Sequence, residues 1–452
     1  MSTEVDVVVV GLGPGGESVA TELAEAGLEV VGIDKHLVGG ECPYYACIPT
    51  KMMLRGADAL AEGRRIPALA GTSAVTSDWT PVAARIADEA TDHWNDQVAV
   101  DRLQDAGVTF VRGAGRLDGA RTVVVGDQTF TARRGVVLNT GTAPAVPPID
   151  GLAGTPYWTN RDAARLTEVP GSLIVVGGGP VGAELAQAFS RFGVQVTVVE
   201  AAPRILGPEE PEASKLIGDV FGREGLQVLA DVTISEITYA DGHFSVALDD
   251  QTLTADKLLV SAGRRPNLAD LGLDTVGLDP ESKSLETDER LRVADGLWAV
   301  GDITGKGAYT HMSMYQAAIV VRDILDQDGP WADYRAVPRV TFTDPEVGSV
   351  GMSEKQARDA GLSIRVGVTD LATSARGWIH QEGNDGFIKL IEDADRGVLV
   401  GACVAGPAGG EILSALVVAV HGEVPTAKLA SMIYAYPTFH RAIEEAVKAL
   451  GA

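Results

Sequence analysis

A duplicated α/β architecture followed by an α+β domain is predicted by three observations. An apolar, strand-like run, a glycine-rich turn and a helix-compatible stretch occur in succession over 5–26, and the same succession begins again at 172. In each copy a second apolar run follows and ends on an acid, Asp34 in the first and Glu200 in the second. Beyond Pro330 the texture changes to β-rich hairpins and then to apolar helices. Alternating strand and helix signals imply parallel sheets with crossover helices. The fold class is therefore α/β, with two Rossmann-like dinucleotide-binding domains and a C-terminal α+β domain.

The elements follow in order. Residues 5–10 are apolar and β-branched, as a buried parallel strand requires. They lead into Gly11-Leu12-Gly13-Pro14-Gly15-Gly16, a helix is expected over 17–26, and a strand over 28–33 ends at Asp34. Gly11, Gly13 and Gly16 permit a tight turn and close approach of a pyrophosphate to the helix N-terminus, and Asp34 is suited to bond a ribose hydroxyl. In the second copy, 172–176 is the strand and Gly177, Gly179 and Gly182 carry the turn. A helix is expected from Ala183, and 194–199 leads to Glu200. The interval from first glycine to acid is 23 residues in both copies, Gly11 to Asp34 and Gly177 to Glu200. The chain thus binds two dinucleotides. Glu200 accepts from a 2′-OH and repels a 2′-phosphate, which favours NADH, while Arg204 nearby, read as a surface residue, leaves NADPH admissible.

Between the copies, 79–106 has helical patterning and 108–130 reads as short strands with glycine turns. An apolar strand over 136–138 enters the small-residue turn Asn139-Thr140-Gly141-Thr142, where backbone can approach a cofactor. Pro144, Pro147 and Pro148 mark a linker, and Leu258 to Asn267 closes the second domain in a similar way. A further strand ends at Gly301-Asp302, with a helix over 311–325. Hairpins are expected over 340–351 and 387–404, and helices from Glu411 onward. The expected domains are 1–150 with 276–330, 151–275, and 331–452.

Composition narrows the function. The balance of 37 basic against 62 acidic residues gives a formal charge of −25, which repels nucleic acid and anionic membranes. Three cysteines are too few for a secreted disulfide scaffold, the start carries no basic leader-like region, and no apolar run approaches the ~20 residues of a membrane span. A cytoplasmic enzyme is expected. Seven scattered histidines, with no Cys/His cluster at ligand spacing, predict no metal site.

Two of the three cysteines, Cys42 and Cys47, lie five positions apart, and Lys51 stands four residues beyond the second. Five residues of undistorted helix rise about 7.5 Å, whereas a disulfide wants its Cα atoms about 4.4–6.8 Å apart. Pairing therefore requires a bend, and Pro43, suited to a first helical position, suggests one that leaves Cys42 at the mouth of a helix. There the helix dipole favours a thiolate. Two unpaired buried thiols are the alternative. A hydride carrier delivers two electrons together, and a disulfide needs an intermediary to receive them, for which flavin is usual. The pair follows directly on the first nucleotide fold, so that fold is assigned FAD and the second NADH. Cys403, in an apolar strand, reads as core.

The order of these motifs resembles the flavoprotein pyridine nucleotide–disulfide oxidoreductases, which include dihydrolipoamide dehydrogenase, glutathione reductase and mercuric reductase. The likeness covers nearly the whole chain. It rests on Gly11 to Gly16, Cys42-x4-Cys47-Ile48-Pro49-Thr50-Lys51, Gly177 to Gly182, Gly301-Asp302, and Thr343-Asp344-Pro345-Glu346-Val347-Gly348. The resemblance implies a redox-active Cys42–Cys47 disulfide, with Cys42 as the interchange thiol and Cys47 as the charge-transfer thiol. By the same likeness Lys51 lies near flavin N5 paired with Glu184, Asp302 holds the ribityl chain, and the turn at His311 contacts the flavin ring. It also implies a homodimer formed through the C-terminal domain.

One departure is informative. The family's disulfide reductases typically carry His-Pro-Thr-x-x-Glu near the C-terminus, and this chain has Tyr436-Pro437-Thr438-Phe439-His440-Arg441. A phenol with a pKa near 10 is a poor base at neutral pH. His440 would be one turn on if the segment were helical. Glu41, Pro43, Tyr44 and Tyr45 also differ from the common loop, and the two tyrosines are expected to narrow the approach to Cys42. The reading is an FAD-dependent NADH oxidoreductase that reduces a small disulfide or electrophilic acceptor. The alternatives are a quinone diaphorase using flavin directly, a dihydrolipoamide dehydrogenase-like enzyme with an altered acid–base, and a redox-sensing protein without turnover. Mercuric reductase is disfavoured, since no C-terminal cysteine pair is present.

Overall fold

The chain folds into mixed α/β structure, and the computed structural model describes residues 2–451. It comprises two compact units. The first contains the chain up to Pro49, Ala84–Ala145 and Arg264–Asp333. Its main sheet runs Arg292–Ala294, Leu297–Ala299, Gln128–Leu138, Ser2–Val10, Val30–Asp34, Thr109–Arg112 in spatial order. Apart from the outermost pair at the Arg292–Ala294 edge, strands along this path are parallel. Val7, Val8 and Val9 are all buried, because helices cover one face of the sheet and strands and loops the other. That is why the run is continuously apolar rather than alternating. The order reverses at Ser2–Val10, where the crevice beyond the strand ends is the usual ligand position of such sheets.

The second unit contains Thr50–Ala83, Val146–Gly263 and the chain from Tyr334 onward. It repeats the device in a parallel sheet ordered Gln227–Ala230, Gln195–Glu200, Ser172–Val176, Lys257–Val260. An antiparallel triplet, Ile234–Ala240, His243–Leu248 and Thr252–Ala255, seals one end of its core. The C-terminal part is a five-stranded antiparallel sheet, Pro338–Thr341, Glu346–Gly351, Val398–Gly406, Phe387–Asp393, Ile364–Asp370, packed under the helices Gly409–His421 and Ala442–Ala449. The expected hairpins and C-terminal helices are present.

One local expectation is corrected and one is refined. Both nucleotide-fold helices start three residues earlier than expected, at Pro14 and Pro180. Proline's missing N–H costs nothing at a first helical position, and its fixed φ suits the helix. The helical patterning over 79–106 is present as a broken series rather than one run. It breaks into Thr80–Ala84, a π-helical turn Arg85–Ala90, a left-handed turn at Asp92, His93 and Trp94, and Gln97–Asp105. The buried Thr91 ends the helical run there: its amide bonds Ile86 O and its hydroxyl donates to the same carbonyl at 2.9 Å.

Candidate active site

The two glycine turns are built alike. Gly11 (φ +92°) and Gly177 (φ +103°) take a conformation that side chains resist, and a Cβ on Gly16 or Gly182 would stand 2.0 Å from the carbonyl oxygen of Gly11 or Gly177. Gly13 and Gly179 precede helices whose N-cap residue makes no side-chain cap bond, and the positive end of each helix, Pro14–Glu25 and Pro180–Arg191, suits an anion. A Cβ on Gly179 would meet no atom within 4 Å, which leaves a cradle that fits a pyrophosphate. The acids also match. Asp34 accepts from Leu12 N at 2.7 Å and His36 N at 2.7 Å, and Glu200 from Gly178 N at 2.6 Å and Ala202 N at 2.7 Å. Burial raises the Asp34 carboxyl above its usual range despite these bonds. Arg204 is not the free surface residue expected. Its guanidinium donates to the carbonyls of Leu206, Gly207 and Glu209, and so pins the turn after Glu200.

Asn139, which the motif reading passed over, ties the first turn to its surroundings. With its carboxamide oriented to satisfy both ends, it accepts from Gly16 N at 3.0 Å and donates to Val300 O at 3.0 Å. Of its neighbours, Thr140 donates its hydroxyl to Asn267 O at 2.9 Å and Gly141 (φ +63°) makes the turn. Asp302 accepts from the Thr142 hydroxyl at 2.6 Å, and that hydroxyl in turn accepts from Arg264 Nε at 2.6 Å. Arg264 also reaches the Glu41 carboxylate at 3.6 Å, so the residue beside Cys42 joins the same chain of contacts as Asp302.

The cysteine segment bends, but not at the expected place. Glu41–Tyr44 forms one short helical turn that contains both Cys42 and Pro43, and a long helix, Cys47–Leu69, starts at the second cysteine. The break lies at Tyr45 and Ala46, whose amides both bond Glu41 O at 2.9 Å. Cys47, not Cys42, therefore holds the helix mouth, where the dipole stabilises negative charge on sulfur. Both cysteines are half-buried thiols in this structure. Thr310, the first residue of the helix Thr310–Ile324, brings its hydroxyl to 3.4 Å from Cys47 Sγ. The next residue, His311, stacks on Tyr309 with ring centroids 5.1 Å apart. Tyr44 is buried, which with the nearby Asp96 charge pushes its phenol up to about 12, whereas Tyr45 is only partly covered. Cys403 is fully buried on its strand as expected, and burial pushes its thiol up to about 12, leaving it chemically inert.

In the second unit, Lys51 Nζ meets Glu184 Oε2 at 2.8 Å and lies 4.5 Å from the centroid of the Phe342 ring. The other Glu184 oxygen accepts from Phe342 N at 2.8 Å. Glu184, Gln187 and Arg191 recur at helical spacing along one face of Pro180–Arg191, and all three grip the segment 342–344. The two C-terminal candidates lie beyond the short helix Thr426–Ser431. The chain is not helical at Tyr436, and His440 sits in the tight turn Phe439–Arg441, so the expected one-turn relation does not hold. Tyr436 is 71% exposed with the Arg441 guanidinium 5.5 Å from its ring centroid. His440, together with Arg376, Glu411, Thr438 and Phe439, lines a cavity of ≈ 650 Å³. Among the described residues no group of three or more His, Cys, Asp or Glu is placed to hold a metal ion, and no helix is long and apolar enough to cross a membrane.

Two glycine-rich turns at helix starts, a dithiol that opens a helix and a partly exposed lysine paired with a buried carboxylate define a class of nucleotide-dependent dithiol oxidoreductases. The pyridine nucleotide-disulphide oxidoreductase family matches residues 5–319, and its dimerisation domain matches residues 337–447. A dihydrolipoyl dehydrogenase of Chlorobaculum tepidum is 31% identical over 458 residues, covering 99% of this chain and 97% of the relative. A mercuric reductase of Acidithiobacillus ferrooxidans is 32% identical over 454 residues, covering 96% of this chain and 80% of the relative. The structure of the HOCl-induced flavoprotein disulfide reductase RclA from Escherichia coli, solved as a Cu(II) complex, superposes with a TM-score of 0.86 at 26% identity, covering 99% of each chain. The chain belongs to the pyridine nucleotide-disulphide oxidoreductase family, whose members are enzymes that use FAD and NAD(P)H.

Proposed function

We propose that this enzyme passes electrons from NADH, through FAD, to the Cys42–Cys47 pair and on to a small disulfide or electrophilic acceptor. The observation that carries the reading is the pair itself: two half-buried thiols across a two-residue hinge, one at a helix mouth and touched by Thr310. The first nucleotide turn, with Asp34 and Asp302, holds FAD, and the second, with Glu200, holds NADH. A flavin held there would supply the means to take up a hydride and pass on its two electrons as a pair. Uptake of two electrons and two protons converts the Cys42–Cys47 disulfide into two thiols. Cys42 then attacks the acceptor, and Cys47 displaces it, so that an acceptor disulfide leaves as two thiols and the internal bond re-forms. Lys51, held by Glu184, would supply a positive charge to the flavin, the role that the family likeness implies for it. Glu200 favours NADH over NADPH.

The exposed apolar side chains of the C-terminal domain, Ile433 at 96%, Val418 at 67% and Trp378 at 77%, support a homodimer formed through that face.

Replacing Cys42 by Ser tests the route. Disulfide reduction should fall to background while flavin reduction by NADH persists. Equal disulfide turnover in the variant would contradict the proposal. A second reading, a quinone diaphorase, is favoured by Tyr436, which stands where an acid–base histidine is usual. It requires quinone turnover to survive in Cys42→Ser at the wild-type rate. Because the RclA structure is a Cu(II) complex, Cu(II) belongs in the same acceptor panel.

A further inference from the structure

We propose that Trp94 is a positioning residue for the dithiol: its indole N–H fixes the hinge between Cys42 and Cys47, and so sets how readily the pair passes between dithiol and disulfide. The inference rests on the dithiol reading above and assigns it a residue that no motif marks.

Three successive non-glycine residues, Asp92 (φ 44°), His93 (φ 53°) and Trp94 (φ 59°), are left-handed. Such a conformation crowds Cβ against the following carbonyl and is disfavoured for L-residues. Asp and His tolerate it better than most, but a bulky tryptophan there is an outlier. The turn is held from several sides. His93 N bonds Ala87 O at 2.7 Å, Asn95 N bonds Thr91 O at 3.1 Å, and the Asn95 amide donates to the Asp92 carboxylate at 3.0 Å.

What the turn delivers is a clamp on the cysteine segment. Trp94 Nε1 donates to Tyr44 O at 3.1 Å, the last carbonyl of the short turn Glu41–Tyr44. Two residues on, the buried Asp96 accepts from Val38 N at 2.7 Å and is itself paired with Arg112 at 2.5 Å. Val38 precedes Gly39 and Gly40, and Tyr44 precedes the Tyr45–Ala46 break. One strained turn therefore grips the segment just before Cys42 and again between the two cysteines. A disulfide tolerates only a narrow range of backbone separation, so a hinge fixed at Tyr44 controls how well both redox forms are accommodated. Strain kept at such a point marks a functional constraint.

The test uses the full-length flavoprotein equilibrated in glutathione redox buffers, with Cys42 and Cys47 trapped by acid quench, alkylated and counted by mass. Trp94→Phe keeps an aromatic ring and removes the N–H. It should shift the dithiol–disulfide equilibrium constant at least tenfold, about 30 mV for a two-electron couple. It should also lower kcat/KM for a disulfide acceptor at least tenfold, with quinone turnover within twofold of wild type. Asp92→Val opposes the left-handed turn from an exposed position and should shift the equilibrium likewise, should Trp94→Phe not fold. Asp92→Gly, which accepts the turn without strain, should leave the equilibrium within twofold. An equilibrium within twofold of wild type in Trp94→Phe, or in Asp92→Val if only that variant folds, would overturn the role of Trp94 alone. A wild-type protein with no titratable Cys42–Cys47 pair would overturn the dithiol reading and this inference with it.

Discussion

Arg191→Leu is expected to remove about 3–5 kcal/mol of stability, the scale for breaking a buried ion pair from one side. The guanidinium is 3% exposed and meets Asp58 at 2.7 Å, Glu224 at 2.6 Å and Asp344 at 2.7 Å. Its removal takes the shared donor from Asp58 and Glu224 and leaves Asp344 with Arg65 alone. An exposed pair such as Lys215–Asp219, with side chains 78% and 51% exposed, should matter far less, and breaking it should cost below about 1 kcal/mol. The comparison is made by urea unfolding of both variants. The Asp344 contribution to the pH dependence has a definite sign. Burial pushes the Asp344 carboxyl up, but Arg191 and Arg65 override this and hold it below its ordinary range. A carboxyl lowered in the folded state adds stability above its unfolded pKa of about 3.9, and that contribution is lost as pH falls toward the folded value. Arg191→Leu should accordingly flatten the acid limb of the stability profile. An unchanged urea midpoint would contradict this account of the Arg191 cluster.

Tyr436→His combined with Arg441→Glu is expected to raise kcat/KM for a dihydrolipoamide-type dithiol–disulfide reaction by about 10²–10⁴, the usual contribution of a positioned acid–base. Both changes are required. Arg441 lies 5.5 Å from the Tyr436 ring centroid and pairs with Glu444 at 3.0 Å, so a histidine placed there alone would sit beside a fixed positive charge that disfavours its protonated form. A glutamate removes that charge and can orient the ring. The pH–rate profile of the double variant should gain an inflection in the histidine range, near 6–7. Full flavin reduction by NADH with no gain in disulfide turnover would direct attention to acceptors that need no proton transfer to sulfur.

How much of this was legible in the sequence depends on how local each cause is. The two glycine turns were readable because a missing Cβ and a fixed interval are written in the chain. The Lys51–Glu184 contact came from the family likeness and not from spacing, since 133 residues separate the partners. The bend in the cysteine segment was foreseen but misplaced. Pro43 was read as a helix start, yet it lies inside the short turn, and the break falls at Tyr45, where Tyr45 and Ala46 share the Glu41 carbonyl. Thr310, Arg264 and Trp94 were missed because each acts on a residue distant in sequence, and hydroxyl, guanidinium and indole groups leave no periodic trace. The apolar spacing over 79–106 is the same for a regular helix and for the broken one. Only the hydrogen bonds of Thr91 and the left-handed turn separate the two.

The central claim, that Cys42 and Cys47 carry electrons, is tested most directly by anaerobic titration of the purified flavoprotein with NADH while the visible spectrum is recorded. A long-wavelength thiolate-to-flavin charge-transfer band should grow in at two electrons per subunit, and it should be absent from Cys47→Ser. Bleaching of the flavin in the wild-type protein without that band would contradict the account, leaving the cysteines outside the electron path.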